Sequence, residues 1–168
     1  MRDDPTIIRR WFEAAQAPAV VADLERLFAA VADEVERRGP ACWASGRCCN
    51  FERAGHRLYV TGLEAAYALA RPPPTPAPRA LSLPQVEAAR AAGGCPFQAA
   101  NLCTIHATKP LTCRIYFCDR SATAWQQDLS ERMLAPLRTL HDTHAVPYRY
   151  AEWRSLLEAI LRTRPRNE

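Results

Sequence analysis

The sequence has no long apolar run. No stretch of its 168 residues approaches the ~18 consecutive apolar residues that a membrane-spanning helix requires. The opening residues, MRDDPTIIRRWFEAAQ, mix charged and apolar side chains and lack the continuous apolar segment of a secretory signal peptide. We therefore expect a cytoplasmic protein that has no membrane partner.

Lysine is almost absent, and the positive charge is spread along the chain. Lys109 is the only lysine, so arginine supplies nearly all of the 22 basic side chains behind the net charge of +4. The arginines are scattered over predicted helices, whereas a nucleic-acid-binding surface usually gathers its cations into a dense patch. The charge pattern therefore argues against a nucleic-acid partner.

Common catalytic motifs are also missing. The chain contains no HExxH zinc motif, no glycine-rich phosphate loop and no nucleophile elbow. A metal-dependent enzyme is still one hypothesis, because such chemistry needs an open metal position beside an acid or base. The candidate acid–base residues, each near a cysteine in sequence, are Glu52, His56, His106 and Asp119.

Apolar side chains at helical spacing predict helices at both ends of the chain. Leu24, Phe28, Val31 and Val35 recur at intervals of three and four residues, which predicts a helix over residues 19–38 that ends at Gly39. Helices are also predicted over residues 4–16, 62–69, 82–92, 111–117, 121–144 and 150–162. Residues 57–60 favour one short strand, and the proline-rich residues 72–78 favour an exposed connector.

These elements predict a mostly α fold with little or no β structure. Flanking helices, over residues 1–39 and 121–168, would surround an irregular cysteine-rich metal-binding core over about residues 40–120. The length and the 48% of apolar residues suit a single domain. We interpret the proline-rich segment as a surface loop, because the cysteines on its two sides are expected to lie in one metal core.

The chemistry of the chain is concentrated in its cysteines. All seven lie between residues 42 and 118: Cys42, Cys48, Cys49, Cys95, Cys103, Cys113 and Cys118. Thiols stay reduced in the cytoplasm, and an odd number cannot pair completely, so disulfides are not expected. Clustered thiolates bind soft and borderline metals strongly. The cluster therefore predicts a metal site, with His106 as one further candidate ligand.

The spacing of the cysteines does not match the paired CxxC motifs of a simple zinc ribbon. Adjacent side chains in extended backbone point to opposite sides, so Cys48 and Cys49 do not easily coordinate one ion together. The pair instead suggests two neighbouring centres or one centre with several metal atoms. On a regular helix Cys113 and Cys118 would lie about 140° apart and ~7.5 Å along the axis, so the chain must leave the helix before Cys118 for the two to converge. Tyr116 and Phe117 would then lie on the face of Cys113 and shield the metal from water.

The number of available ligands is compatible with two kinds of metal centre. A 4Fe-4S cluster takes four thiolates and leaves three cysteines over, whereas two tetrahedral zinc sites would use all seven cysteines and His106. Either a Zn²⁺ ion or an oxidised 4Fe-4S core with four thiolates carries a net charge of about −2, which needs nearby cations when it is buried. Arg47, Lys109 and Arg114 are the candidates for that role at the cofactor.

The cysteine segments resemble the YkgJ family of cysteine-cluster proteins, which carries a zinc- or iron-chelating domain. The resemblance lies in C42-WASGR-CCNF and in GGCPFQ…NLCTIHATKPLTCRIYFC, over about residues 40–120. Lys109-Pro110 occupies the family's basic-proline position and Cys113-Arg114 its C-R position, while His106 lies where tyrosine is commoner.

The resemblance implies metal chelation and leaves the reaction open. A similar cluster in flagellin lysine methylases implies iron–sulfur chemistry, and the adjacent cysteines independently favour a centre of several metal atoms. We therefore predict a metal-chelating protein with an iron–sulfur cluster, 4Fe-4S, in an electron-transfer, redox-sensing or accessory role beside a protein redox partner. A zinc-stabilised interaction module without catalysis is the alternative.

Overall fold

The computed structural model describes residues 4–42, 44–71 and 81–163, and these are mostly helical. The proline-rich connector predicted at residues 72–78 lies outside this part of the chain. The helices are α1 (Pro5–Gln16), α2 (Pro18–Arg38), α3 (Phe51–Ala54), α4 (Gly62–Ala70), α5 (Leu83–Ala91), α6 (Leu111–Ile115), α7 (Thr123–Thr143) and α8 (Trp153–Thr163). No helix among the described residues has the length and apolar character to cross a membrane.

Short strands form two small antiparallel sheets within the described ranges. The strands are β1 (Tyr59–Thr61), β2 (Gln98–Ala99), β3 (Leu102–Cys103) and β4 (Tyr150–Glu152). β1 pairs with β4, and β2 pairs with β3 across Ala100 and Asn101, both of which have positive φ. Two residues of positive φ are typical of a tight hairpin turn. The prediction of a mostly α fold with little β structure is confirmed.

The N-terminal helices follow the predicted stop and start signals. The Asp4 side chain accepts from the Thr6 N–H at 2.8 Å and caps α1. Pro18 occupies the first turn of α2, where its missing N–H has no cost, and Gly39 ends α2 in the left-handed conformation with φ 58°. Both predicted helices are confirmed, with boundaries within one residue.

Two capping boxes begin the helices in the middle of the chain. The Thr61 hydroxyl accepts from the Glu64 N–H at the start of α4, and the Glu64 carboxylate accepts in return from the Thr61 N–H. Ser82 and Gln85 form the corresponding box at α5. A capping box satisfies backbone N–H groups that the first helical turn leaves unpaired. These helix starts could therefore be located from sequence alone.

The helix predicted over residues 150–162 is wrong at its first three positions. Tyr150–Glu152 is β4, and α8 begins only at Trp153. The pairing partner, β1, lies about ninety residues earlier, with Tyr59 opposite Glu152. Glu152 then accepts from the Ser155 N–H at 2.8 Å and starts the helix. Long-range pairing therefore overrides the local helical pattern.

One hydrophobic core joins the two ends of the chain to its middle. It runs from Ile8 in α1 to Ile160 in α8 and includes Leu24, Phe28 and Val31 of α2. Trp11, fully buried, lies against Gly62 at the start of α4, and its indole N–H donates to the Pro147 carbonyl at 2.8 Å. The N-terminal helix is therefore fixed to the segment that carries α4.

Replacing Gly62 with alanine should destabilise the protein by about 3 kcal/mol, because overpacking a filled core forces backbone or side-chain shifts. A Cβ at this position would overlap the Trp11 ring. Gly55 is the control, since a Cβ there meets no atom within 4 Å and only its φ of 69° is unfavourable, at about 1 kcal/mol. Chemical denaturation of both variants at equal metal content measures the difference. A smaller loss for Gly62→Ala than for Gly55→Ala would contradict this packing.

Candidate metal centre

All seven cysteines line one cavity of about 670 Å³. They come from a helical turn (Cys48 and Cys49), from β3 (Cys103), from α6 (Cys113) and from loops (Cys42, Cys95 and Cys118). None is in a disulfide: Cys42 and Cys48 are exposed, and the others are partly buried. The two cysteine segments, which are far apart in sequence, thus face a common space.

Backbone hydrogen bonds connect the first cysteine segment directly to the second. The Cys95 N–H donates to the Cys49 carbonyl at 2.9 Å, and the Glu52 N–H donates to the Gly93 carbonyl at 3.0 Å. The side-chain amide of Gln98 also donates to the Gly46 carbonyl at 2.9 Å. These bonds fix the adjacent cysteine pair beside the loop that carries Cys95.

Gly46 is required where the segments meet. Its φ is 69°, and a Cβ there would overlap the Gln98 amide and lie 3.0 Å from the Asn101 backbone. Glycine alone adopts this conformation without strain and leaves room for such a close approach. The turn before Cys48 and Cys49 therefore depends on a residue without a side chain.

A buried carboxylate fixes the helix that carries Cys113. Glu64, 1% exposed, accepts from the Leu111 N–H at 2.8 Å and also from the Thr61 N–H and hydroxyl, both at 2.8 Å. Burial raises the pKa of Glu64, while these hydrogen bonds oppose the shift. Because Leu111 is the first residue of α6, Glu64 determines where that helix starts.

The chain leaves α6 before Cys118, which allows Cys113 and Cys118 to line the same cavity. The helix ends at Ile115, and Tyr116 is extended, with φ −81° and ψ 125°. The helix predicted through Phe117 is therefore two residues too long, and Tyr116 and Phe117 are not on a helical face with Cys113. Both aromatic residues nevertheless line the cavity. Ser45 also lines the cavity, and its hydroxyl lies 3.9 Å from the Cys118 sulfur.

The thiols influence one another electrostatically. Burial, followed by the neighbouring Cys103 and Cys49, raises the pKa of Cys113 well above its usual value. Burial also raises the pKa of Cys103, and Cys48 adds to the shift. Each negative thiolate makes the deprotonation of its neighbour less favourable. A bound cation removes this repulsion and releases the protons.

The adjacent pair shows the same coupling. The hydrogen bond with Cys48 lowers the pKa of Cys49, but the bond with Cys95 and burial raise it, and the net value is about 12. The bond with Cys49, together with burial, raises the pKa of Cys48. Five thiols therefore interact as one group: Cys48, Cys49, Cys95, Cys103 and Cys113.

Two of the three predicted cations lie at the cavity. Lys109 and Arg114 line it, whereas Arg47 is exposed and is not among its lining residues. The Arg114 guanidinium stacks 4.0 Å above the Phe28 ring and donates to the Ala107 carbonyl at 2.8 Å. Burial lowers the pKa of Arg114. Its position is thus fixed from both α2 and the loop before α6.

The histidines at the cavity differ in their surroundings. His106 is exposed, and its Nε2 lies 3.1 Å from the Lys109 Nζ. The Lys109 charge, then burial, lowers the pKa of His106. His56 also lines the cavity, with its ring between Phe51 (5.4 Å) and Tyr116 (4.3 Å), and burial lowers its pKa. The His56 Nδ1 is buried and has no hydrogen-bond partner in the described part of the chain.

The two acidic candidates have structural partners. The Glu52 carboxylate pairs with Arg154 at 3.2 Å, and Asp119 accepts from the Ala41 N–H at 3.2 Å and from Ser121. Neither residue is among those lining the cavity. The structure therefore places His56 and His106, but not the acids, at the cavity.

Residues 4–42, 44–71 and 81–163 contain no group of three or more cysteine, histidine, aspartate or glutamate residues placed to hold one metal ion. The thiols line a common cavity, but they do not converge around one metal position. Comparisons of the chain with family models, curated proteins and solved structures found no match. The resemblance to the YkgJ family therefore rests on the residue pattern alone and stays a prediction.

Sequence reasoning missed three residues that build the site. Glu64 fits a capping-box pattern in the sequence, but this pattern does not signal that Glu64 also accepts from the Leu111 N–H of α6. Gln98 bridges to Gly46, and Trp153 lines the cavity from the start of α8. Each acts across more than forty residues of sequence, and no local pattern signals such contacts.

Replacing Glu64 with alanine should lower the free energy of unfolding by about 2–4 kcal/mol, because three buried donors lose their acceptor. The start of α6 should loosen, and the Cys113 thiol should react faster with a thiol reagent. The control is Glu131→Ala, an exposed residue whose one hydrogen bond within the described residues is from Gln127 at 3.3 Å, with an expected change within about 0.5 kcal/mol. Chemical denaturation and thiol labelling measure both effects. Equal stability and labelling rates in the two variants would contradict the role of Glu64.

Proposed function

We propose that this protein chelates metal through its cysteine cavity and carries an iron–sulfur cluster of the 4Fe-4S type. The observation that supports the proposal most is that all seven thiols, from two distant segments, line one cavity. Free cysteines in a core without a metal role would have no reason to gather in this way. A cytoplasmic location, where thiols stay reduced, is part of the proposal.

The donor set suits such a cluster. A 4Fe-4S cluster takes four thiolates, and five neighbouring thiols of the cavity offer enough: Cys48, Cys49, Cys95, Cys103 and Cys113. Cys118 borders the same space, and Cys42 is exposed at its edge. We propose that four of these residues, Cys113 among them, hold the cluster and that Cys42 is not among the four.

The charges and the walls of the cavity also support the proposal. A cluster with four thiolates has a net charge of about −2 in its oxidised form, and the lining residues include three basic side chains, Arg57, Lys109 and Arg114, against one acidic side chain, Glu36. The cavity of about 670 Å³ has room for a centre of several atoms. Apolar side chains, including Phe51, Leu58 and Ile105, line much of the rest.

The cluster would supply one-electron chemistry, and the chain would bind it and set its surroundings. We therefore propose an electron-transfer, redox-sensing or accessory role beside a protein redox partner. Membership of the YkgJ-type cysteine-cluster family is proposed on the quoted motifs.

Burial in the cysteine segments favours the zinc alternative as a second candidate. Among described residues 41–50 and 94–104, only Gly46 is buried, so apolar burial contributes little to holding these segments. A closed zinc site contributes folding free energy directly and would stabilise such segments. In this alternative the protein is an interaction module without catalysis.

Protein purified without oxygen should be brown, with broad absorbance near ~400 nm from thiolate-to-iron charge transfer and with iron and acid-labile sulfide in equal amounts. Metal analysis, sulfide analysis and electron paramagnetic resonance of the reduced protein check this expectation. Colourless anaerobic protein with zinc and no sulfide would refute the cluster and support the zinc module. In that case chelation should unfold the cysteine segments and leave the outer helices partly formed.

Replacing Cys113 with serine should remove most of the iron and sulfide, because a hydroxyl is a poor ligand for iron compared with a thiolate. Cys42→Ser is the matched control and should keep the metal content and absorbance of the wild type. Both variants are purified anaerobically and analysed side by side. Full metal content in Cys113→Ser would contradict its assignment, and an equal loss in Cys42→Ser would place Cys42 in the ligand set.

A further inference from the structure

A backbone hydrogen bond holds Cys49 and Cys95 side by side. The Cys95 N–H donates to the Cys49 carbonyl at 2.9 Å. With standard covalent geometry, this bond keeps the two Cα atoms within about 6.8 Å of each other. Residues joined by a disulfide have Cα atoms ~4.4–6.8 Å apart. The backbone therefore already holds this pair within the range in which a disulfide can close.

The two side chains also lie close to each other. Both line the cysteine cavity, and both are partly buried free thiols. The side chain of Cys49 is hydrogen-bonded to that of Cys95. A contact between two thiols brings their sulfur atoms together, whereas Cβ vectors that point apart would prevent a disulfide. The side chains therefore satisfy the second condition for a disulfide.

Cys48 is a poorer partner for Cys49, although it is adjacent in sequence. A trans peptide fixes neighbouring Cα atoms about 3.8 Å apart, which is shorter than the ~4.4 Å at which the disulfide range begins. Cys95 meets the distance requirement without a change of backbone. The geometry therefore selects Cys49 and Cys95 from among the crowded thiols.

We propose that Cys49 and Cys95 form a reversible disulfide when no metal is bound, so that oxidation of this pair and metal binding exclude each other. The regulatory part of this inference rests on the proposed metal-chelating function, whereas the disulfide itself does not require iron. Thiolates are the metal ligands, and a disulfide has none. Closure leaves three of the five neighbouring thiols, whereas a 4Fe-4S cluster takes four. The oxidised chain is therefore closed to the cluster.

A low-molecular-weight disulfide, glutathione disulfide, serves as the oxidant. One protein thiolate attacks a glutathione sulfur, forms a mixed disulfide and releases the first glutathione as its thiolate. The second protein thiolate attacks the protein sulfur of that mixed disulfide and releases the second glutathione. The protein pair loses two electrons and two protons, and glutathione disulfide becomes two glutathione thiols. Because the pKa of Cys49 is about 12, the exchange is slow at neutral pH and is run to equilibrium in mildly alkaline buffer.

The test uses the full chain, freed of metal by a chelator and equilibrated with glutathione disulfide. After the remaining thiols are alkylated, trypsin cuts after Arg47 and Arg90, and chymotrypsin cuts after Phe51 and Phe97. Mass spectrometry should then detect residues 48–51 joined to residues 91–97, a pair of fragments in which Cys95 is the one cysteine of the second.

Two matched serine variants assign the bond. Cys48→Ser should keep the cross-link, and Cys49→Ser should lose it, because serine cannot form a disulfide. Absence of the cross-link from the wild type would overturn the inference. A cross-link that persists in Cys49→Ser would do the same, because the thiols would then pair without the selectivity that the backbone imposes.

Metal protection tests the regulatory part. Protein purified anaerobically with its metal should resist the cross-link, and oxidised metal-free protein should take up ferrous iron and sulfide only after a phosphine has reduced it. Cys42→Ser is the control and should behave as the wild type in both measurements. Equal cross-linking with and without metal, or full uptake by the oxidised chain, would overturn the exclusion. Anaerobic wild-type protein without iron and sulfide would instead refute the proposed cluster, and the cross-link would still form.

Discussion

The cysteine cavity depends on a backbone connection between two segments nearly fifty residues apart. The Cys95 N–H bonds to the Cys49 carbonyl, and the Gln98 amide bonds to the Gly46 carbonyl. The Gln98 bond requires Gly46, because a side chain at this position would overlap the Gln98 amide. Together the two bonds hold the adjacent cysteine pair beside the loop that carries Cys95.

The second half of the cavity is positioned from the helical core. Glu64 at the start of α4 fixes the first residue of α6, and Phe28 of α2 supports the Arg114 guanidinium. Trp11 in turn packs on Gly62 and fixes α4 itself. A chain of contacts therefore runs from the N-terminal helix to Cys113. The flanking helices do more than enclose the cysteine region, since they set the position of the helix that carries one of its thiols.

The electrostatics of the site follow from crowding. Burial and the neighbouring thiols raise the pKa of Cys113, and at Cys49 the lowering by the Cys48 bond is outweighed by the Cys95 bond and by burial. A bound cation makes the deprotonation of such thiols more favourable. The same cavity is lined by more basic side chains (Arg57, Lys109 and Arg114) than acidic ones (Glu36). Each of these features suits an anionic centre built from metal and sulfur, which is why the proposed cluster accounts for them together.

The sequence by itself determined the helices with strong local signals. Each of these signals acts within one or two turns of backbone, so it can be recognised without knowledge of the fold. Examples are the Thr61–Glu64 capping box, Gly39 at the end of α2 and the four-residue spacing of Leu24 and Phe28. It also determined that the chemistry lies in the cysteines. Only the tertiary structure decided that Tyr150–Glu152 pairs with β1, that all seven thiols line one cavity, and that Trp153 lines this cavity while Arg47 does not. These outcomes depend on contacts between residues dozens of positions apart, whose free energy appears only when the chain has closed the loops between them.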